Sequence, residues 1–291
     1  MKIGVFTGDY QIDKAILMQE LFDKLNRLGM EVYIRRDLYT YLTETVKYRP
    51  PIAGMLDGNY FDLDIALSVG GDGTFLQTAL QINKQHIPIL GINTGRLGFL
   101  ADVGVNQIEE TLEELARKEY RIEERMMLKL HTDEQAFGGH SYALNEVAIL
   151  KRDTSSMITI HTYLNDEYLT AYQADGLVIA TPTGSTAYSM SVNGPIILPQ
   201  SDNIVLSPVA PHSLNVRPLV IPGSYRITFN VESRTPSFLI SLDGRSEVFP
   251  NGTQLTVDKA DFTTQVIKRL NQNFYQILRE KLMWGVDKRV K

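Results

Sequence analysis

The sequence contains a glycine-rich segment whose residue types suit phosphate chemistry. Gly70-Gly71-Asp72-Gly73-Thr74 follows an apolar run and precedes a helical pattern. Glycines let backbone N–H groups approach a ligand closely, and the N-terminus of a helix favours an anion. Asp72 is the unusual member, because a carboxylate repels phosphates unless it serves a divalent cation or a proton transfer. The alternative is a tight turn in which Asp72 or Thr74 caps the helix.

The segment differs from the two common phosphate-binding loops. The sequence contains no G-x-x-x-x-G-K-[ST] pattern, which argues against a P-loop enzyme. Position 76 is Leu, so the glycines do not form a G-x-G-x-x-G pattern, and an ordinary dinucleotide-dependent dehydrogenase is disfavoured. The glycines therefore indicate a phosphate site of another kind.

Two further segments combine glycines with hydroxyl-bearing residues. Asn93–Leu100, with the sequence NTGRLGFL, follows an apolar run, as the first segment does. Ligands bind beyond the carboxyl ends of strands in open α/β sheets, so we expect these two loops to line one crevice. Asp175–Ser191 ends a strand-like run at Thr181 and continues as a loop rich in Ser and Thr, in which Tyr188 offers a surface for a base. The alternative for each segment is a turn that only reverses or caps the chain.

A carboxamide and a carboxylate stand side by side at Asn145-Glu146, within an apolar strand-like run. Such a pair can accept hydrogen bonds from vicinal ribose hydroxyls and donate to them. Taken alone, the pair fits a solvent-facing strand edge better. It indicates a sugar site only in combination with the other three segments.

The elements that position the first two segments alternate between strand and helix. Buried strands are predicted from short apolar runs, and helices from apolar residues at helical spacing. The strands are Ile3–Phe6, Glu31–Ile34, Ile65–Val69 and Pro88–Ile92, and the helices are Asp13–Leu28, Phe75–Asn83 and one that starts at the capping pair Asn106 and Glu109 and runs to about Lys118. This alternation predicts a mostly parallel sheet with helices on both faces.

The remaining segments lie in a region with a different pattern. From about Met126 to Val257, short strand-like runs are divided by turn residues, and Asn251-Gly252 predicts a hairpin. Examples of these strand-like runs are Tyr142–Leu150, Met157–Leu164, Gly176–Thr181, Tyr225–Val231, Phe238–Leu242 and Leu255–Val257. Helical patterning returns over Val266–Trp284 and could pack on the first domain. We therefore expect an α/β domain formed by residues 1–124 plus 266–291, and a β-rich, sandwich-like domain formed by residues 125–265.

Composition excludes several classes of protein. The chain has 291 residues, a net charge of −5 and no cysteine, so disulfides and cysteine-based catalysis or metal sites are excluded. The acidic balance argues against nucleic acid or an anionic membrane as the main partner. No apolar run approaches the length that spans a bilayer, and no signal-peptide pattern follows the first lysine, so we expect a cytoplasmic protein. The five histidines show no metal-ligand spacing, and no metal ligand is assigned.

Taken together, the motifs resemble those of one family. GGDGT, the NTGRLGF loop, the Asn-Glu pair and DGLVIATPTGSTAYS, in this order, resemble NAD kinases over most of the chain, from about Ile3 to Asp258. The resemblance implies transfer of the γ-phosphate of ATP to the 2′-hydroxyl of the adenosine ribose of NAD, which gives NADP. It also implies Mg²⁺ or another divalent cation, held through the ATP phosphates, and a homodimer or homotetramer. NAD and ATP are then the small-molecule partners.

The resemblance also assigns roles to individual residues. It makes Asp72 the catalytic base, with Gly71, Gly73 and Thr74 lining the same site. The residues implied to contact the dinucleotide are Asn145 and Glu146 at the ribose hydroxyls, Asp175 on the nicotinamide side, Phe99 on the adenine, Thr186, Ala187, Tyr188, Ser189, Met190 and Ser191 around the adenosine, and Ser156, Gln173, Ala210 and Arg245 along its length, in part from a neighbouring subunit.

The sequence departs from the family pattern at a few of these positions. Ser156 and Gln173 are neutral where relatives are sometimes basic, and Asn193 replaces a common glycine. Two other functions stay open at this point. A lipid kinase of the diacylglycerol or sphingosine type shares GGDGT, although the hydroxyl-rich loop offers no obvious apolar entry. A non-catalytic NAD(H) sensor would bind dinucleotide without ATP turnover, but would not need Asp72.

Overall fold

The computed structural model describes residues 1–8, 14–95, 98–132, 136–152 and 156–285. The strands are β1 (Lys2–Thr7), β2 (Glu31–Arg35), β3 (Gly54–Leu56), β4 (Ile65–Gly70), β5 (Ile89–Asn93), β6 (Tyr120–His131), β7 (Tyr142–Ala143), β8 (Glu146–Leu150), β9 (Ile158–Leu164), β10 (Glu167–Ala174), β11 (Gly176–Ala180), β12 (Asn203–Val209), β13 (Leu219–Pro222), β14 (Ile227–Glu232), β15 (Ser237–Leu242), β16 (Arg245–Pro250) and β17 (Gln254–Arg269). The α-helices are α1 (Ala15–Arg27), α2 (Arg36–Thr40), α3 (Asp72–Ile82), α4 (Ile108–Ala116), α5 (Tyr188–Ser191) and α6 (Phe274–Leu282).

The chain divides into two compact units. The first comprises Met1–Glu124 with Thr264–Lys291, and the second comprises Arg125–Thr263. The first unit is α/β and the second is β-rich, which confirms the fold class predicted from the sequence.

The first unit contains a parallel sheet in the order β5, β4, β1, β2, β3, and the end of β17 adds to β5 through Val266 and Ile89. Successive side chains of a strand point to opposite faces, and helices cover both faces. On one face, Leu67 packs in the same cluster as Leu21 of α1 and Leu112 of α4. On the other face, Ser68 accepts a hydrogen bond from Thr78 of α3, with 3.1 Å between the two Oγ atoms.

Two helix starts differ from the sequence prediction. The third helix begins at Asp72 rather than Phe75, so the residues after Gly71 form its first turn. The turn before α4 is closed by Gln107, whose Oε1 accepts the N–H of Gly104 at 3.2 Å, and not by the predicted Asn106 pair. Asp13, predicted to open the first helix, lies outside the described residues.

The predicted helix over Val266–Trp284 is wrong in its first part. Residues up to Arg269 continue β17, and only Phe274–Leu282 form a helix, which is capped by Asn273. The two basic residues at the strand's end are buried with acidic partners. Lys268 Nζ lies 2.6 Å from Asp102 Oδ2, and Arg269 Nε lies 2.6 Å from Glu114 Oε2. Buried charges need such partners, and the local sequence does not reveal them.

The second unit is a sandwich of two sheets. The first sheet runs β10, β9, β14, β17, with β7 paired to β6, and the second runs β13, β12, β11, β8, β15, β16 in antiparallel order. Side chains from both sheets, such as Phe229 and Ile179, share one core. The opposite face of the second sheet packs Val178 and Ala180 against Tyr188 and Ile197. This sheet therefore carries the hydroxyl-rich segment on its outer face.

Two predictions for this region need correction. The Asn251-Gly252 turn exists, but its flanking strands do not form a hairpin, because β16 pairs with β15 while β17 pairs with β14. The predicted single strand Tyr142–Leu150 is divided into β7 and β8 by a break at residues 144–145. That break contains half of the Asn-Glu pair.

Candidate active site

The glycine-rich turn connects β4 to α3. Glycine at position 70 is required by packing, because a Cβ there would overlap the Thr74 side chain. Glycine at positions 71 and 73 is not required in this way, since a Cβ at either would meet no other described atom within 4 Å, and neither residue has a positive φ. The missing side chains instead leave space beside the N–H groups at the start of α3. Those N–H groups have no partners within the helix and attract anions.

The Asp72 carboxylate is held by the loop that follows β5. Its Oδ1 accepts the N–H groups of Leu100 and Ala101 at 3.0 and 2.9 Å, and its Oδ2 accepts the N–H of Phe99 at 3.0 Å. Gly98 permits this arrangement, because a Cβ at that position would overlap Oδ1. A carboxylate has about four lone-pair positions, two on each oxygen, so the position left by these three bonds is on Oδ2. The predicted partnership of the two glycine-rich loops is therefore a direct hydrogen-bonded contact, although Arg96 and Leu97 lie outside the described residues.

Lys281, at the end of α6, contacts both Asp72 and Phe99. No sequence motif predicted this residue. Its Nζ lies 3.5 Å from Asp72 Oδ2 and 4.3 Å from the centre of the Phe99 ring. The Phe99 ring also lies beside Phe274 of α6, with 6.1 Å between ring centres. The C-terminal helix therefore supplies side chains to the surroundings of Asp72.

A cleft of about 150 Å³ opens beside the glycine-rich turn, at the carboxyl ends of β1 and β4. Glycine backbone, hydroxyl groups and a lysine line one part of it, at Gly8, Lys14, Gly70, Gly71, Thr74 and Thr94, and apolar side chains such as Met18, Leu38 and Val69 line the rest. Asp72 is not among its lining residues. The small donors and the lysine suit a phosphate group, whereas the apolar part does not. This is the position that the sheet topology predicts for a ligand.

In the second unit, the Asn145-Glu146 backbone is held from two sides. Asp243, which is partly buried, accepts the N–H groups of Leu144, Asn145 and Glu146 at 2.7, 2.8 and 3.1 Å. Thr181 donates its own N–H to the Asn145 carbonyl at 2.9 Å and its hydroxyl to the Leu144 carbonyl at 2.6 Å. These contacts explain the break between β7 and β8. Neither Asp243 nor Thr181 was singled out for a role at the site from the sequence, although the Asp-Gly dipeptide at 243–244 is a common turn signal.

Glu146 is a buried acid. Burial, together with the neighbouring Asp243 carboxylate, raises the pKa of Glu146 to about 8, and a hydrogen bond from the Tyr188 backbone opposes the rise. Its Oε2 has no hydrogen-bond partner among the described residues, even though the atom is buried. A buried polar atom of this kind costs free energy unless a ligand satisfies it. Burial and the charges of Glu146 and Asp175 also raise the pKa of Tyr188.

Asp175 and its neighbours form a second group on this unit. Asp175 Oδ1 lies 2.7 Å from Lys151 Nζ, and the Asp175 N–H donates to Val209 at 2.9 Å, next to Ala210. Ala210 has a positive φ of 44°, which is uncommon for a residue other than glycine. Ser156 and Gln173 line one pocket together with Lys151, Glu232 and Arg234. The pocket therefore has basic residues nearby, although positions 156 and 173 are neutral.

The hydroxyl-rich segment forms a 3₁₀ turn over Thr183–Thr186 followed by α5. The Ser189 side chain is fully buried and lies 3.0 Å from Ser207, measured between the Oγ atoms. The contact of Ser189 with a ligand stays a prediction. Thr186, Ala187, Tyr188, Met190 and Ser191 share the same segment. Asn193, which replaces the family glycine, has a positive φ of 64°, and asparagine tolerates this conformation well.

Arg245 lies at the end of the turn that carries Asp243. Its guanidinium donates to the carbonyls of His140 and Tyr142 at 3.0 and 2.8 Å. Burial lowers the pKa of Arg245, and the Asp243 and Glu247 carboxylates oppose that change. The two backbone contacts leave part of the five-donor guanidinium for other partners.

In the described part of the chain, no group of three histidine or acidic side chains is arranged to hold a metal ion. No described helix combines the length and the apolar character needed to cross a membrane.

The fold and the site place the chain among nucleotide-dependent phosphotransferases, and comparison with known proteins narrows this class. Residues 3–120 match the ATP-NAD kinase N-terminal domain, and residues 144–269 match the ATP-NAD kinase C-terminal domain. The NAD kinase of Bacteroides fragilis is 51% identical over 290 residues, with 100% of both chains covered. The NAD kinase of Porphyromonas gingivalis is 45% identical, with 98% of each chain covered.

Solved structures show the same fold. A yeast NADH kinase complexed with NADH matches with a TM-score of 0.88 and 23% identity, covering 100% of this chain and 90% of that one. An NAD kinase from Archaeoglobus fulgidus in complex with ATP matches with a TM-score of 0.76 and 26% identity, covering 97% and 99%.

The chain belongs to the ATP-NAD kinase family. Its activity is that of an NAD kinase, which transfers the γ-phosphate of ATP to the 2′-hydroxyl of the adenosine ribose of NAD and so makes NADP. The lipid-kinase and sensor alternatives are thereby set aside.

Proposed function

We propose that Asp72 is the general base of this reaction. As the bond between the ribose 2′-oxygen and the γ-phosphorus forms, the bond from phosphorus to the β–γ bridging oxygen breaks. The hydroxyl proton passes to Asp72 Oδ2, and ADP and NADP leave. The observation that carries the proposal is the arrangement of the carboxylate, because three amide hydrogen bonds fix it and leave its remaining lone-pair position on Oδ2.

The phosphates of ATP are assigned to the start of α3. Gly71 and Gly73 leave room there for close approach to backbone N–H groups, and Thr74 adds a hydroxyl. The ligand set for a divalent cation is incomplete among the described residues, and Asp72 already accepts three hydrogen bonds. We therefore assign Mg²⁺ or another divalent ion to the ATP phosphates rather than to the protein.

The assignments for NAD begin with the Asn-Glu pair. Asn145 and Glu146 would bind the ribose hydroxyls, and the unpartnered buried Oε2 of Glu146 supports this role. The other assignments follow the family resemblance: Asp175 on the nicotinamide side, Phe99 at the adenine, Thr186–Ser191 at the adenosine, and Ser156, Gln173, Ala210 and Arg245 along the dinucleotide. In the domain assignment, residues 1–124 plus 266–291 would bind ATP, and residues 125–265 would bind NAD.

A homodimer or homotetramer and a cytoplasmic location stay predictions from the resemblance and the sequence. Edge strand β13 supports a subunit contact, because it exposes Leu219 and Val220, and the nearby Leu214 is 87% exposed. Light scattering during the assay tests this, and a fully active monomer at high dilution would contradict it.

The central experiment incubates the protein with ATP, Mg²⁺ and NAD and detects NADP with an NADP-specific dehydrogenase. Asp72→Asn keeps the size of the side chain and removes the base. Loss of a general base typically lowers the rate about 10²- to 10⁴-fold, so we expect kcat to fall by that factor while calorimetry still detects NAD binding. A variant that keeps more than about a tenth of the wild-type kcat would show that Asp72 has another role.

A further inference from the structure

The glycine-rich turn needs a cation that it does not itself contain. Gly70–Thr74 includes no basic residue, and its one charged member, Asp72, is negative. A carboxylate beside phosphates raises the energy of the bound state and of the transition state through like-charge repulsion. The divalent ion assigned to the ATP phosphates would offset part of this repulsion, and a protein cation close to Asp72 would offset more of it. The structure provides one on a distant part of the chain.

We propose that Lys281 of α6 is a residue of the phosphoryl-transfer site that binds the transferring γ-phosphate. The inference rests on the role proposed for Asp72. The Lys281 ammonium lies 3.5 Å from Asp72 Oδ2, the oxygen with the remaining lone-pair position. The hydroxyl that gives its proton to Oδ2 shares this oxygen with the ammonium group, and the phosphorus it attacks is one bond further away.

The position of the ammonium group leaves donors for a ligand. A distance of 3.5 Å to Asp72 is longer than an ordinary charged hydrogen bond, and the Lys281 side chain is 30% exposed. An ammonium carries three N–H donors. One side of it faces the Phe99 ring at 4.3 Å, a cation–π contact that limits its movement. Lys281 is therefore held in place and remains accessible to a phosphate oxygen.

The helix that carries Lys281 is itself anchored to the first unit. Asn273 caps α6 by accepting the N–H of Gln276 at 3.0 Å, and Ile277 and Leu278 are buried. Gln272, just before the helix, donates its side-chain amide to the Asp102 carbonyl at 3.0 Å. A fixed cation stabilises developing charge more effectively than a mobile one, because it needs no reorganisation during the reaction. Lys281 changes no covalent bond in this role.

Lys281→Met tests the proposal, because it removes the charge and keeps the length of the apolar stem. Removing one preorganised donor costs up to about 10²- to 10³-fold in kcat, and for this partly exposed group we expect a loss of about 10- to 100-fold. The NAD dissociation constant measured by calorimetry should change by less than about twofold, since the charge acts on the phosphate. Lys281→Arg, which keeps the charge, should retain more activity than the Met variant.

Arg279→Met is the matched control, because it removes an exposed charge from the last turn of the same helix. It should leave kcat unchanged. The proposal would be overturned if Lys281→Met lost less than about fivefold in kcat, if Arg279→Met lost as much, or if Lys281→Arg were no better than Met.

Combination with Asp72→Asn separates this proposal from the one on which it rests. Lys281→Met should still lower kcat in the Asp72→Asn background, because the phosphate charge remains to be stabilised. Disappearance of the effect would mean that Lys281 acts only through Asp72, and would overturn the phosphate assignment. If Asp72→Asn alone keeps its activity while Lys281→Met loses it, the base assignment fails and the phosphate contact stands.

Discussion

Gly71 and Gly73 are glycines that the folded chain does not itself require. Neither adopts a positive φ, and a Cβ at either position meets no described atom within 4 Å. Gly98 differs from them, since a side chain there would displace the Asp72 carboxylate. Substitution of Gly71 or Gly73 is therefore expected to disturb ligand binding, whereas substitution of Gly98 would disturb the catalytic carboxylate. A sequence motif alone does not separate these two effects.

Gly73→Ala should weaken ATP binding without weakening the fold. Gly73 lies in the first turn of α3, where alanine costs less backbone entropy than glycine, so the melting temperature should stay equal or rise slightly. If a phosphate approaches this backbone, the added methyl group should raise KM for ATP by about tenfold or more, the equivalent of one lost charged hydrogen bond. KM for NAD serves as the internal control. An unchanged KM for ATP would show that the space beside Gly73 holds no phosphate.

Glu146 should make stability depend on pH. Its pKa is raised to about 8 in the folded protein, mainly by burial, whereas an exposed glutamate titrates near its ordinary value of 4.5. Between these two values the folded state keeps a proton that the unfolded state has lost, so the free energy of unfolding falls as pH rises. The stability that protonated Glu146 contributes is complete below pH 4.5 and is lost as pH rises through about 8.

The variant Glu146→Gln cannot titrate and removes this dependence. Between pH 5 and pH 9, the wild type should lose on the order of 1 kcal/mol or more of unfolding free energy relative to Glu146→Gln, as measured by urea denaturation. Parallel changes in the two proteins would show that Glu146 is ionised in the folded state at neutral pH.

The β15–β16 turn illustrates how one element can position another. Asp243 and Gly244 both have positive φ, as a two-residue turn requires, and the Asp243 side chain accepts three consecutive N–H groups at the start of β8. The same residue therefore closes one hairpin and sets the backbone of the Asn145-Glu146 pair. Its conformation and its hydrogen bonds can be separated experimentally, because asparagine also tolerates a positive φ.

Asp243→Asn should preserve the turn and disrupt the hydrogen bonds. One carboxylate oxygen becomes an NH₂ group, which cannot accept a backbone N–H. Leaving a buried donor unsatisfied costs about 1–3 kcal/mol, to be measured by denaturant unfolding. KM for NAD should rise more than KM for ATP, because Asn145 and Glu146 move. Equal changes in both constants would indicate a general loss of structure, and Asp202→Asn, at an exposed ion pair with Lys259, controls for the loss of one surface charge.

Burial on both faces made three strands easy to predict, but it did not guarantee success, because β12 is buried and no strand was predicted for it. The parallel strands β1, β4 and β5 are buried on both faces and read as continuous apolar runs, so they were found within a residue or two at each end. β10 is half exposed and mixes polar with apolar residues, and no strand was predicted for it. The end of β17 was mistaken for a helix because Lys268 and Arg269 resemble a solvated face.

The site was predictable where the motif contains the functional residue. Asp72 and the Asn145-Glu146 pair were singled out from the sequence, because their types and neighbours limit the chemistry available to them. Asp243 and Lys281 were not, since their importance comes from contacts with residues 99 and 209 positions earlier in the chain. Only a folded chain brings such residues together.

For the whole molecule, we expect removal of divalent cations to abolish turnover without changing stability. Chelation with EDTA should stop NADP formation, because the ion is assigned to the ATP phosphates. The melting temperature of the ligand-free protein should stay the same, since no described cluster of three acidic or histidine side chains could bind the ion. A lower melting temperature after chelation would reveal a metal site in the protein, and re-addition of Mg²⁺ is the control for reversibility.

The first unit is assembled from two segments of the chain, and this has a consequence during translation. The end of β17 and α6 belong with residues 1–124, but the ribosome makes Arg125–Thr263 in between, a stretch of 139 residues (263 − 125 + 1). At about 5–20 residues per second, synthesis of that stretch takes on the order of 7–30 s. During this time Lys268, which lies 166 residues after its ion-pair partner Asp102, has not yet been synthesised. The nascent β-rich unit can therefore fold while the first unit is still incomplete, and chaperones that bind unfinished chains have that interval in which to act.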